Sequence, residues 1–130
     1  DLPYEDEFFD GIVCYGSLYY LDWKSIGQAV TEMRRVLKKG GKLFLVVRSI
    51  EDYRYKTEWA LEGEPHTIIV HEEDDNKCAH SENGMLMYFF DEQELRGLFD
   101  KFEHLEIDYI KETHDNQKFC DCNYILTAEK

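Results

Sequence analysis

The chain has 130 residues, enough for one domain with a proper core and at the low end for a three-layer α/β fold. Its 43% hydrophobic and 15% aromatic content is that of a globular protein and excludes wholesale disorder. With 28 acidic against 15 basic residues the formal charge is −13, which argues against nucleic acid and anionic membranes as partners because both require a basic surface. Small-molecule, cationic and protein partners remain compatible, and solubility alone also accounts for the acid.

No apolar run is long enough to span a bilayer, and the opening DLPYEDEFFD is acidic where a signal or transit peptide is basic. Cys120 and Cys122 are two apart on an expected strand, so they share a face and are poorly placed for a disulfide between them. With Cys14 and Cys78 they predict reduced thiols and a cytoplasmic setting.

Taken in order, Leu2-Pro3 favours an extended entry, and Phe9 to Cys14 is a short apolar strand ending at a Gly-Ser turn. A helix begins near Asp22, a good N-cap. Ile26, Ala29, Val30, Met33, Val36 and Leu37 recur at three- and four-residue spacing as one stripe. Lys38 and Lys39 suit the negative end of the helix dipole, and Gly40 can stop the helix. Leu43 to Val47 then reads as a strand buried on both faces. Two continuous apolar strands joined by a helix describe a parallel pair with a right-handed crossover.

Residues 49–61 are expected to hold a short helix, and Thr67 to Val70 and Met85 to Phe89 a pair of strands flanking an acidic loop. Residues 49–90 are therefore read as an insertion or cap within a single domain, 1–130. Asp91-Glu92-Gln93-Glu94 has the form of a capping box, followed by the stripe Leu95, Leu98, Phe99, Phe102. Leu105 to Ile110 and Phe119 to Ala128 close the chain as a hairpin. An antiparallel strand is thus expected at the edge of a parallel sheet.

LPYEDEFFDGIVCYGSLYYLD, a helix ending RRVLKKGGKLFLVV, and the later FFDEQELRGLF resemble the class I S-adenosylmethionine-dependent methyltransferases, in particular those acting on small molecules. The resemblance runs over the whole chain but covers only the carboxyl-terminal half of the family's domain. It implies a Rossmann-like α/β half-sheet with the family's strand order 4-5-7-6, and S-adenosylmethionine as cofactor. The eight glycines form no GxGxG, so the family's glycine-rich cofactor loop has no match here. The implied picture is a domain truncated ahead of its fourth strand and inactive alone. Its central strand, Phe9 to Cys14, would stand at an edge and pair with a second copy or a complementing chain. The alternative is a non-catalytic half-domain that only dimerises or complements.

By the same resemblance, Tyr15, Gly16 and Ser17 would lie beside the cofactor, although a tight strand-to-helix turn needs a glycine in any case. Tyr19 and Tyr20 would sit over the substrate, or serve only as packing. Arg48 would steer a substrate carboxylate from the end of its strand, or be a solvated strand end. Tyr53 and Trp59, with Tyr55, would join Tyr19 and Tyr20 in an aromatic cap able to hold a cationic amine, or close the core. His66, His71, Cys78 and His80 fit no standard zinc spacing, so no metal site is expected. No catalytic acid or base is assigned.

Overall fold

A computed structural model describes residues 2–130. The elements are β1 (Phe9–Tyr15), α1 (Trp23–Val36), β2 (Leu37–Arg48), β3 (Thr67–Ile69), β4 (Leu86–Tyr88), α2 (Glu92–Leu98), β5 (Glu103–His114) and β6 (Phe119–Glu129). Four strands form a sheet in the order β1-β2-β6-β5, and β3 with β4 makes a separate two-stranded ribbon. β1 and β2 are parallel, while β6 runs antiparallel to both β2 and β5. This is the expected half-sheet, with one correction. The antiparallel strand is not at the edge: β6 lies between β2 and β5, because a tight hairpin must return antiparallel to β5 while β6 takes the free side of β2.

Asp22 caps α1 as its position predicts, accepting from the Ser25 backbone at 2.8 Å and the Ser25 hydroxyl at 2.9 Å. The end of that helix differs from expectation. It stops at Val36, and Leu37 is already extended. Leu37 is fully buried and pairs opposite Phe9, which it can do only from a strand conformation. Lys38 then lies 2.8 Å from Asp10 of β1 rather than over the helix end. Gly40 is left-handed, at φ 73°, but it serves a kink inside β2, where its N–H donates to the Lys130 carbonyl at 2.6 Å.

Residues 49–90 hold no α-helix, only 3₁₀ turns at Thr57–Trp59 and Cys78–Glu82. The helix expected in 49–61 fails because Asp52 competes for the backbone. Its carboxylate accepts from the N–H of Arg54 at 3.0 Å and of Cys122 at 3.0 Å. The excursion returns to where it left: Phe90 N–H donates to the Arg48 carbonyl at 2.9 Å, and Ile50 N–H to the Phe90 carbonyl at 3.0 Å. Both halves of the predicted capping box at Asp91 and Glu94 form.

The core is one-sided. Ile26 and Val30 of α1 and Leu95 and Phe99 join Leu43, Leu45, Val47, Leu126 and Ala128 in one cluster. The opposite sheet face carries Val13 beside Phe44 and Thr127, and Tyr15 beside Val46 and Ile125. Val13 and Tyr15 on that face are each 73% exposed.

Candidate functional site

The carboxyl ends of the parallel strands β1 and β2 are where open α/β sheets bind ligands. There the chain leaves β1 through Gly16, at φ 66°, whose N–H donates to the Val46 carbonyl at 3.2 Å. A side chain at this glycine would be strained, and its Cβ would stand 3.4 Å from the Tyr19 hydroxyl. The turn leaves Tyr15 and Ser17 exposed on either side. The Ser17 hydroxyl reaches back to Cys14 Sγ at 3.3 Å. The result is an open wall of backbone and small polar groups, a shape that a ligand can approach closely. Among the described residues the Tyr15 hydroxyl has no hydrogen-bond partner, and the ring is exposed.

A single 3₁₀ turn, Leu18–Tyr20, carries the two tyrosines next to this wall. Tyr19 is buried, with the Arg48 guanidinium 4.9 Å above its ring. Tyr20 donates its hydroxyl proton to Glu82 at 2.6 Å. Burial and then the Glu82 hydrogen bond push the Tyr20 pKa well above the usual tyrosine value, so the phenol stays protonated. Tyr20 and Glu82 border an open hollow of about 630 Å³ whose other walls are Ser81, Met85 and Leu86.

Behind Tyr20 lies a buried charge network that residue spacing did not disclose. Glu82 also accepts from Arg48 Nη2 at 3.2 Å and from Arg54 Nε at 3.0 Å. Arg54 further donates to Asp52 at 3.1 Å and to Asp121 at 2.8 Å, and its remaining amino group meets Cys78 Sγ. The Arg54 and Asp52 side chains are 4% and 0% exposed. Burial opposes the Arg54 charge, but the Asp52 charge and the other anionic partners outweigh it, and its pKa stands above the usual guanidinium value. The network ties Asp52, Arg54 and Glu82 to β2 through Arg48 and to β6 through Asp121. The only clue in the sequence was Asp52 and Arg54 set among the aromatics of a segment expected to hold a short helix.

The sites named from sequence thus divide. Tyr15, Gly16, Ser17, Tyr19, Tyr20 and Arg48 come together at the ends of β1 and β2. Arg48 is not a solvated strand end: its side chain is 11% exposed and paired with Asp52 and Glu82. Tyr53 lies elsewhere, against Phe119 at 5.3 Å and His114 at 5.7 Å. Trp59 is covered by the Lys56 ammonium at 3.9 Å, and Tyr55 packs on Phe89. The aromatics do not form one cap. Tyr19, Tyr53 and Trp59 each already face a cation of the protein itself, Arg48, Arg54 and Lys56.

Residues 1–45 match the sequence model of a family described as a methyltransferase domain. No curated protein matches the chain. Among solved structures, a SAM-dependent methyltransferase from Methanosarcina mazei superposes with a TM-score of 0.72 at 23% identity, over 100% of this chain and 63% of that one. A SAM-dependent methyltransferase from Thermotoga maritima, described as a possible histamine N-methyltransferase, gives 0.62 at 21% identity, over 100% and 60%. The 1,6-didemethyltoxoflavin-N1-methyltransferase of Burkholderia thailandensis, solved with 1,6-didemethyltoxoflavin and S-adenosylhomocysteine bound, gives 0.59 at 16% identity, over 96% and 45%. The chain thus spans less than two thirds of the length of these proteins. With a half-sheet in the order β1-β2-β6-β5, helices on one face and the methyltransferase-domain pattern across β1, α1 and the first part of β2, this chain has the fold of the class I S-adenosylmethionine-dependent methyltransferases.

Proposed function

We propose that the chain is the carboxyl-terminal part of an S-adenosylmethionine-dependent methyltransferase that acts on a small molecule in the cytoplasm. Tyr15, Gly16 and Ser17 form one wall of the cofactor crevice. The observation that carries this reading is the left-handed turn at Gly16, which leaves Tyr15 and Ser17 exposed beyond the carboxyl ends of two parallel strands. The cofactor supplies an electrophilic methyl group on a sulfonium, and the protein's task is alignment. Gly16 lets the backbone approach closely. Tyr20 spends its proton on Glu82, so its oxygen is left to accept a hydrogen bond from an N–H or O–H of the methyl acceptor. Four cysteines, none bonded to another, support the cytoplasmic setting.

The 130 residues contain no GxGxG, and we take the chain alone to be inactive for want of that cofactor loop. Calorimetry with S-adenosylhomocysteine tests both parts. Weak or absent binding to the 130 residues, with tight binding to a longer product of the same coding sequence, is the expected result. Failure of both to bind overturns the assignment.

A second reading, a non-catalytic half-domain that pairs through β1, is favoured by the exposure of Val13 and Tyr15 on an edge strand. It predicts association of the chain in sedimentation with no cofactor binding by any longer product.

A further inference from the structure

Donors of the kinds that hold a transition-metal ion converge where the loop entering β3 meets the start of α2. Ligand atoms of His66, Asp91 and Glu94 lie within 4.8 Å of one another, on residues that are each partly buried. His66 Nδ1 and Glu94 Oε2 are already 3.0 Å apart. The imidazole comes from one segment and the carboxylates from another, so the set is not a run of acid along one element. Each donor is also held. His66 has a left-handed backbone, φ 56°, and its ring meets Tyr55 and Tyr88 edge-on at 5.9 and 6.1 Å. Glu94 Oε1 accepts the Tyr88 hydroxyl at 2.9 Å, and Tyr88 is itself stacked on Trp23 at 5.2 Å. A hydrogen bond to the far oxygen is how outer partners orient a metal-binding carboxylate. Asp91 uses Oδ1 to cap α2, accepting the Glu94 N–H at 2.7 Å, so Oδ2 is its oxygen for a ligand.

We propose that His66, Asp91 and Glu94 form a binding site for a divalent transition-metal ion of the zinc class. The ion takes the place of the proton between His66 Nδ1 and Glu94 Oε2, Asp91 Oδ2 supplies the third bond, and water fills the open position. One imidazole with two carboxylates suits Zn²⁺, Co²⁺ or Ni²⁺ better than Ca²⁺ or Mg²⁺, which prefer larger sets made only of oxygen. Tetrahedral bonds of about 2.0–2.1 Å separate donors by about 3.3 Å. His66 and Glu94 are near that spacing, and the Asp91 donor lies within 4.8 Å of both. A cation here works against the dipole of α2, and the two carboxylates supply the charge that outweighs it. The ion would clamp the cap region to α2, independently of any methyl transfer.

Zn²⁺ calorimetry and Co²⁺ titration read by its visible d–d bands test the site on the chain itself. One ion per chain with tetrahedral Co²⁺ bands is expected. His66→Ala should weaken binding by about tenfold or more, whereas His71→Ala and His80→Ala, at exposed positions, should leave it unchanged. Absence of heat and bands in the wild type, or an isotherm indifferent to His66→Ala, overturns the proposal and marks any uptake as cations gathered by the acidic surface. Should His66→Ala not fold, carbethoxylation of the wild type decides. Zn²⁺ should protect His66 selectively, and equal modification with and without Zn²⁺ rejects the site.

Discussion

Arg54 shows what a single side chain carries in this fold. Its guanidinium joins Asp52, Glu82 and Asp121 from three separate segments. Removing it leaves Asp52 and Glu82 with Arg48 as their shared counter-charge, so Arg54→Met should cost about 3 kcal/mol in urea unfolding, the low end for breaking a buried pair. Arg54→Lys, which keeps charge but not the planar fork, should cost less. Glu32 sets an acid limit: the Arg35 hydrogen bond, then that of the Leu2 N–H, holds its carboxyl at about 2, below the ordinary 4.5. A depressed folded-state pKa means that its contribution is complete above about pH 4.5 and is lost as pH falls towards about 2. Glu32→Gln should therefore flatten the stability profile in that window, as read by denaturant midpoints at successive pH values. Local residue roles were legible in the sequence. Asp22 and Asp91 act within three residues of themselves, so spacing alone revealed both caps. Arg54 was not legible, since its partners Glu82 and Asp121 lie 28 and 67 residues away.

Among the elements, the junction of α1 and β2 shows how tertiary pairing overrides local preference. The stripe from Ile26 to Leu37 and the glycines at 40 and 41 both describe a helix running on to Lys39. Burial of Leu37 beside β1 ends it three residues sooner, and the glycines serve the strand. At Gly41 an added Cβ would stand 2.8 Å from Leu37 Cγ and from the Lys38 carbonyl oxygen. Gly41→Ala should thus destabilise the protein by about 1–3 kcal/mol, the range for overpacking, with the loss seen in thermal unfolding. Gly27→Ala is the control: its Cβ meets nothing within 4 Å in the middle of α1, so that change should be neutral or stabilising. The change of pattern after Arg48 was legible, but not the fold of residues 49–90. Asp52 spends its carboxylate on backbone N–H groups, and one of them belongs to β6.

For the molecule as a whole, the one-sided core is the dominant feature. Helices cover one face of the sheet, while Val13 and Tyr15 remain exposed on the other. If β1 pairs with a second copy, as the half-domain reading proposes, Val13→Lys should shift sedimentation towards the monomer while the circular dichroism stays unchanged. An unchanged sedimentation profile would remove β1 as the contact. The sequence by itself determined the order and type of the main elements, the two helix caps and the likeness to half of a methyltransferase domain, because periodicity, capping and strand–helix–strand spacing are written within a few residues. Only the tertiary structure decided that Arg48 is buried and paired, that the aromatics take the protein's own cations in place of forming one cap, and that His66 meets Asp91 and Glu94. Those outcomes depend on contacts between segments far apart in the chain, and on which charges burial forces to find a partner. The wall at Gly16 belongs to both: its turn was expected from the residues, and the exposure of Tyr15 and Ser17 beside it came from the packing of the sheet.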